Sequence, residues 1–321
     1  ETSKKGKLLQ PTFGGVNREE IAKPKCFKVL DTLREEARIP VWHDDQQGTA
    51  AVTGAGMINA LKVVNKKMDE VKIVLNGAGA SNVAIARLLL AAGILGENMI
   101  LLDRQGGIHK ERAGLKESEP VKFDLALKTN PELFAGNLEE ALKGADVLVS
   151  LSQSGPDVIK KEWIAGMAEE SVVFACANPI PEIWPWEAKE AGARVVATGR
   201  SDFPNQVNNS VGFPGIFRGT LDVRASTITD EMCIAASVEL AKCVEEKGLS
   251  EEFIIPTMAD WEIFPRVAVA VGQKAIEQGV AKIKLTPEEA YKVANDIITR
   301  ARAETKVLIE KGLIPEAPEG Y

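Results

Sequence analysis

The 321 residues are 45% hydrophobic and 26% charged, with a formal net charge of -7 and a pI near 5.2. A chain of this length and composition buries a core as one large α/β domain or two. Its acidic balance argues against a broad nucleic-acid footprint or an anionic membrane surface. No apolar run is long enough to cross a bilayer, and residues 1–18 show no charged-then-apolar leader pattern. Cys26, Cys176, Cys233 and Cys243 show no CxxC spacing. Scattered thiols suit a reducing cytoplasm better than a disulfide framework or a zinc knuckle.

Along the chain, residues 1–18 are polar and Gly-containing and read as a loose entry segment. From 19 to 38, Ile21, Phe27, Val29, Leu30 and Leu33 suggest a helix, and "IPVWHD" a short buried strand. A helix is expected to start near Thr49. "VKIVLNGAGASNVAIARLLL" reads as strand, tight turn and helix, and "MILLD" as the next strand. "NLEEALKGADVLVSLS" is helix then strand, and "SVVFACANP" and "ARVVAT" are two more strands. Alternating strands and helices, with the strands as continuous apolar runs, predict an α/β, Rossmann-type doubly wound parallel sheet. From about residue 229 the pattern turns helical. The organisation expected is an N-terminal segment over 1–45, an α/β domain over 46–228 and a helical segment over 229–321.

Gly77 and Gly79 sit between a strand and a helix. There the first glycine permits a tight turn and the second lets the backbone approach a pyrophosphate at the helix N-terminus. The candidate cofactor loop is Gly77, Ala78, Gly79, Ala80, Ser81 and Asn82. Asn82 stands where Gly or Ala is usual, and is expected to push the helix slightly off the strand. Gly54 and Gly56 share the GxG pattern but read as helix packing. Asp103 ends the next strand, where a carboxylate takes a ribose 2′-hydroxyl and repels a 2′-phosphate, favouring NAD. Arg104 pulls the other way, towards NADP.

Glu19 with Glu20 and Asp44 with Asp45 offer oxygen donors for a hard divalent ion such as Mg²⁺ or Mn²⁺. Taken alone, such acidic pairs are more often solvated or cap helices. His43 is a candidate ligand for a softer metal, although a lone histidine beside a strand is more often packed. His109 reads as a loop residue.

"PTFGGVNREEI", "IPVWHDDQQGTA", "GAGASNVAIA", "ANPIPE", "TGRSDFPNQVNNSVGFPGIFRG" and "EEFIIPTMADWEIFPRVAVAV" follow one another as in bacterial and archaeal malic enzymes, which the chain resembles over residues 10–275. That resemblance implies oxidative decarboxylation of malate to pyruvate and CO₂ with NAD or NADP. It implies that Glu19, Glu20 and Asp45 hold Mg²⁺ or Mn²⁺, and that Asp44 orients a catalytic lysine. The family usually has Glu-Asp where this chain has Glu19-Glu20, so one arm is a methylene longer. Asn178 and Asn209 match residues that hold malate, and Asn178 the nicotinamide end as well; read by themselves, Asn-Pro and Asn-Asn are also common turn formers.

The same resemblance places the general base, a lysine, and the general acid, a tyrosine, on an N-terminal region that these residues do not match. Tyr291 and Tyr321 are the two tyrosines, and neither lies in a matching motif. The sequence is therefore expected to bind NAD but to turn over malate poorly by itself. Its C-terminal helices are expected to support a homo-oligomer, a dimer or larger. Two other readings use the same residues: a malolactic-type decarboxylase that keeps its NAD bound, and a non-catalytic NAD- and metal-binding module.

Overall fold

The computed structural model describes residues 2–10 and 12–315. Two short strands, β1 (Val16–Arg18) and β2 (Val41–His43), pair in parallel, with Arg18 opposite His43. The main sheet contains β3 (Ile73–Asn76), β4 (Met99–Asp103), β5 (Gly106–Gly107), β6 (Val147–Ser150), β7 (Ser171–Ala175) and β8 (Ala193–Thr198). Its order is β5-β4-β3-β6-β7-β8, parallel throughout except for β5 against β4. From β3 the chain turns to one side to make β4 and then returns to the other side to make β6. The point where direction reverses, between β3 and β6, is where an open α/β sheet binds ligands.

The strands are apolar because both faces are covered. Successive side chains alternate between two cores. Ile73, Leu75, Val147, Val149, Val172 and Phe174 join the core beneath the helices Thr49–Val63 and Ala80–Ala91. Val74, Leu148, Val173 and Val196 join the opposite core, which Leu142 and Ile164 complete. This is the doubly wound arrangement expected from the alternation of elements.

Helix Thr49–Val63 is buried around most of its circumference, so small residues line it. A methyl added at Gly54 would lie 3.0 Å from Leu88 and 3.1 Å from the Ser237 hydroxyl, and one at Gly56 would lie 3.1 Å from the Phe174 ring. Both glycines pack the helix, as expected. Helix Asp230–Gly248 lies against it, and Asn59 joins the two: its Nδ2 donates to Ala241 O (3.0 Å) and Ile254 O (2.9 Å).

Two expectations need correction. The entry segment is not loose throughout, since Thr2–Leu8 is helical and Val16–Arg18 forms β1. The helix expected from 19 to 38 spans Lys25–Glu36, because Glu20 takes a left-handed conformation (φ 56°) that no helix continues through. The three later helices form as expected, at Asp230–Gly248, Ile263–Glu277 and Pro287–Glu310. Of the last, only Ala290 and Ala294 are buried. His109 lies in a loop, Tyr321 lies outside the described residues, and the four cysteines are free and buried. No helix among the described residues is long and apolar enough to cross a membrane.

Replacing Asn59 with Ala strands two buried carbonyls and is expected to cost about 2 kcal/mol. Urea unfolding checks this, and a loss below about 0.5 kcal/mol would show that Asn59 does not tie the helices together.

Candidate active site

The turn after β3 is built for close approach. Gly77 has φ 95°, and a methyl there would lie 2.7 Å from Leu151 O and 2.9 Å from Ser152 Cα, across the switch point. At Gly79 a methyl would meet nothing within 4 Å, which leaves the helix N-terminus open. Asn82 does not act as a wedge. It is fully buried, and its Nδ2 donates to Asn76 O and Gly77 O, both at 2.8 Å, so it pins the turn to its own helix. A cavity of about 910 Å³ runs from Asp103 and Arg104 over Gly77 and Gly79 to Ser152 and Gln153. Lys23 reaches into it and donates to Ala78 O at 3.2 Å.

Asp103 ends β4 as expected, but it is already engaged. Arg112 Nη1 (2.8 Å) and the Gln105 N–H (3.0 Å) donate to one oxygen, and the buried Lys122 ammonium (3.1 Å) donates to the other. Burial opposes its charge, yet these donors hold the carboxyl below its ordinary range. It therefore stays ionised and in one position. Arg104 is exposed at the cavity edge. The sequence reading missed Arg112 and Lys122, since nothing in the spacing of either marks an ion pair with Asp103.

The two acidic pairs meet because β1 and β2 run parallel in register. Both strands release their next residues at the same end, bringing Glu19 and Glu20 beside Asp44 and Asp45. The Glu20 N–H donates to Asp45 Oδ2 at 3.0 Å, and Asn17 Nδ2 to Glu19 Oε1 at 2.5 Å. Asp44–Gly48 forms a π-turn at the head of the long helix. Asp44 is buried and accepts from the Trp42 indole N–H at 2.9 Å. Burial, with repulsion from Glu19 and Asp45, pushes its carboxyl up to about 6. Gly48 brings in Asn209, since a methyl at Gly48 would strike the Asp44 carboxylate and lie 3.1 Å from Asn209 Cβ.

Among the described residues, no three His, Cys, Asp or Glu side chains are gathered closely enough to make a finished metal cage. The corner supplies the right donor type, hard carboxylate oxygen. His43 is packed, 1% exposed, with Nδ1 3.7 Å from Asp45 Oδ2. Burial lowers its pKa despite the neighbouring carboxylates.

The corner is attached to the cofactor turn, because Ser81 Oγ donates to Asp45 O at 2.9 Å. Beyond β7, Asn178 is exposed, next to Gly199, where a methyl would lie 3.1 Å from its Oδ1. Arg200 Nη1 donates to Pro179 O at 2.8 Å and so joins the Asn178 loop to the loop after β8. The sequence reading also missed Glu182. This carboxylate is fully buried behind Asn178 and accepts from Ser150 Oγ (2.8 Å), the Ser152 N–H (3.0 Å) and the Ala177 N–H (3.1 Å). Burial raises its pKa, and these donors pull it back in part.

The family profile described as "Malic enzyme, NAD binding domain" matches residues 46–276. A bifunctional malic/malolactic enzyme of Bacillus subtilis is 49% identical over 284 residues, covering 88% of this chain and 68% of that protein. An NAD-dependent malic enzyme of Geobacillus stearothermophilus is 46% identical, covering 89% of this chain and 58% of that protein. The crystal structure of Entamoeba histolytica malic enzyme superposes with a TM-score of 0.96 at 48% identity, over 98% of this chain and 65% of that one. That of Pyrococcus horikoshii malic enzyme gives 0.91 at 48% identity, over 97% and 73%. The chain thus spans roughly three fifths to three quarters of the length of these relatives.

A methyl at Gly79 fits the fold but fills the space a pyrophosphate needs. Gly79→Ala is expected to leave the melting temperature within about 2 °C while weakening NAD at least about tenfold. Calorimetric titration and a thermal scan check the pair of outcomes.

Proposed function

This chain belongs to the malic enzyme family, and we propose that it carries the cofactor and metal half of a site that oxidatively decarboxylates malate to pyruvate and CO₂. The single observation carrying this reading is the attachment of the acidic corner to the dinucleotide turn through Ser81 and Asp45. Hydride transfer and loss of CO₂ from one substrate require a nicotinamide and a stabilising charge held at a fixed separation.

Glu19, Glu20 and Asp45 are the proposed ligands of Mg²⁺ or Mn²⁺, and their oxygen donors fit either ion. When bound, such an ion would supply positive charge that stabilises negative charge developing on a substrate oxygen. Asp44, buried behind them, orients the catalytic base. Asn209, packed at Gly48, and Asn178 hold malate, and Asn178 also faces the nicotinamide end. Gly77 to Asn82 cradle the dinucleotide, with the pyrophosphate over Gly79.

NAD is the preferred cofactor. The fixed, ionised Asp103 retains lone pairs for a ribose 2′-hydroxyl and cannot swing aside for a phosphate. NADP is therefore expected to bind at least about tenfold more weakly than NAD. Asp103→Ser should close that gap, because it leaves Arg112 and Lys122 free to meet a phosphate. Equal affinity of the unaltered protein for the two cofactors would remove Asp103 from the argument.

In this reading residues 1–45 carry the acidic corner, 46–228 the dinucleotide fold and 229–321 its helical cover, in a cytoplasmic homo-oligomer. Val307, Leu308, Ile309 and Leu313, apolar and exposed on or just beyond the last helix, support the association. The name of the Bacillus relative favours one second reading, malolactic decarboxylation with NAD retained. With malate, NAD and Mn²⁺ supplied to the complete enzyme, pyruvate together with free NADH supports oxidation, whereas lactate without net NADH supports the second reading. Asp45→Asn is expected to abolish the heat of Mn²⁺ titration and leave NAD affinity within about twofold. Undiminished Mn²⁺ binding would overturn the ligand set.

A further inference from the structure

Glu182 is a buried carboxylate whose donors are all uncharged. Both of its oxygens face main-chain N–H groups, from Ser152 and Ala177, and these donors cannot reverse. Ser150 Oγ lies 2.8 Å from Oε1 and Ser152 Oγ 3.4 Å from it. On their other side both hydroxyls meet one group, with Asn76 Nδ2 at 2.9 Å from Ser150 Oγ and 3.1 Å from Ser152 Oγ. Asn76 ends β3 opposite Ser150 and lines the cofactor cavity immediately before Gly77.

This chain of hydrogen bonds has a fixed direction. A carboxylate only accepts, so the single proton of Ser150 points at Glu182. The lone pairs of Ser150 then face Asn76, whose amide must turn its NH₂ towards the serines. The carbonyl oxygen Oδ1 is left on the side away from the serines, and Asn76 is one of the residues that line the cavity. The cavity runs from Asp103 across the Gly77 turn to Ser152 and Gln153. With the adenosine ribose at Asp103 and the pyrophosphate over the turn, the wall at Asn76 and Ser152 meets the nicotinamide half.

We propose that Glu182 is a positioning residue which, through Ser150 and Ser152, fixes the Asn76 carbonyl as a hydrogen-bond acceptor for a hydroxyl of the nicotinamide ribose. The proposal rests on the dinucleotide-binding reading and adds to it a residue that never touches the cofactor. Glu182→Gln keeps the volume but supplies an NH₂. In one orientation that NH₂ opposes the Ala177 N–H. In the other it opposes the Ser152 N–H and donates to Ser150, whose proton then turns to Asn76 and flips its amide. The cavity then presents a donor where an acceptor stood.

The test is calorimetric titration with NAD and with ADP, which ends at the pyrophosphate. Glu182→Gln and Asn76→Ala are each expected to weaken NAD about tenfold, worth about 1.4 kcal/mol, and to leave ADP unchanged. The double variant should lose no more than either single one, because both break the same chain. NAD affinity within about twofold of the parent, equal losses for NAD and ADP, or additive losses would each overturn the positioning role. Should Glu182→Gln fail to fold, Ser150→Ala cuts the same link and must give the same selective loss. Failure of the unaltered protein to bind NAD would overturn the dinucleotide reading itself, an outcome distinct from any failure confined to the variants.

Discussion

The parallel pairing of β1 with β2 is the constraint from which the site follows. Three residues on each strand are enough, because a parallel ladder makes both strands end at the same edge. An antiparallel pair would send Glu19 and Asp44 to opposite ends. Glu20 then turns through a left-handed conformation that aims its N–H at Asp45, and the π-turn at Asp44–Gly48 places two acidic residues at the head of one helix. Widened helical turns of this kind recur at functional sites, because they re-aim side chains that a regular helix would spread around its axis.

Four carboxylates around the cleft show how environment divides labour among similar groups. Asp103 lies between a guanidinium and an ammonium and is held ionised and still. Asp44 is buried with one indole donor and two acidic neighbours, so its proton is held more tightly. Asp45 is partly exposed, with a side-chain accessibility of 37%, and accepts the Glu20 N–H at 3.0 Å. Glu182 is sealed among neutral donors, where a charge is costly unless every lone pair is used. A buried acceptor of this kind gives direction to the polar groups around it.

Much of the fold was legible in the sequence because its signals are local. A doubly covered strand is a continuous apolar run, and "VKIVLNGAG", "MILLD", "DVLVS" and "ARVVAT" each form the strand they suggest. The early segment was not legible. Val16–Arg18 becomes a strand only because Val41–His43 lies beside it, and three residues carry no period of their own. Asp103 was readable as a strand-end carboxylate, but Arg112 and Lys122 reach it only through the folding of the β4–β5 hairpin and the following helix. Asn82 was read as an imperfect glycine because its spacing was visible, whereas the two carbonyls it satisfies were not. Glu182 lies in a recognisable "ANPIPE" run, yet nothing in that run says that the side chain turns inward.

The cleft is held from three directions by bonds that cross between segments remote in sequence. Ser81 joins the dinucleotide helix to Asp45 from one side, and Lys23 crosses to Ala78 from the same N-terminal segment. From the other side, Asn82 and Asn76 lock the Gly77 turn to its helix and to β6. Behind the loops, Arg200 ties Pro179, while Asn205 accepts the Ile254 N–H at 2.9 Å and donates to Val196 O and Glu251 O. Few of these bonds is worth more than about 1.5 kcal/mol by itself. Their value is geometric: they hold the acidic corner and the dinucleotide turn at one separation, and a misplacement of about 1 Å between groups that act on one bound molecule costs orders of magnitude in rate. A cleft assembled from strand ends and cross-bonded asparagines meets that tolerance without a disulfide, which explains why so many of its polar groups are spent on holding the backbone.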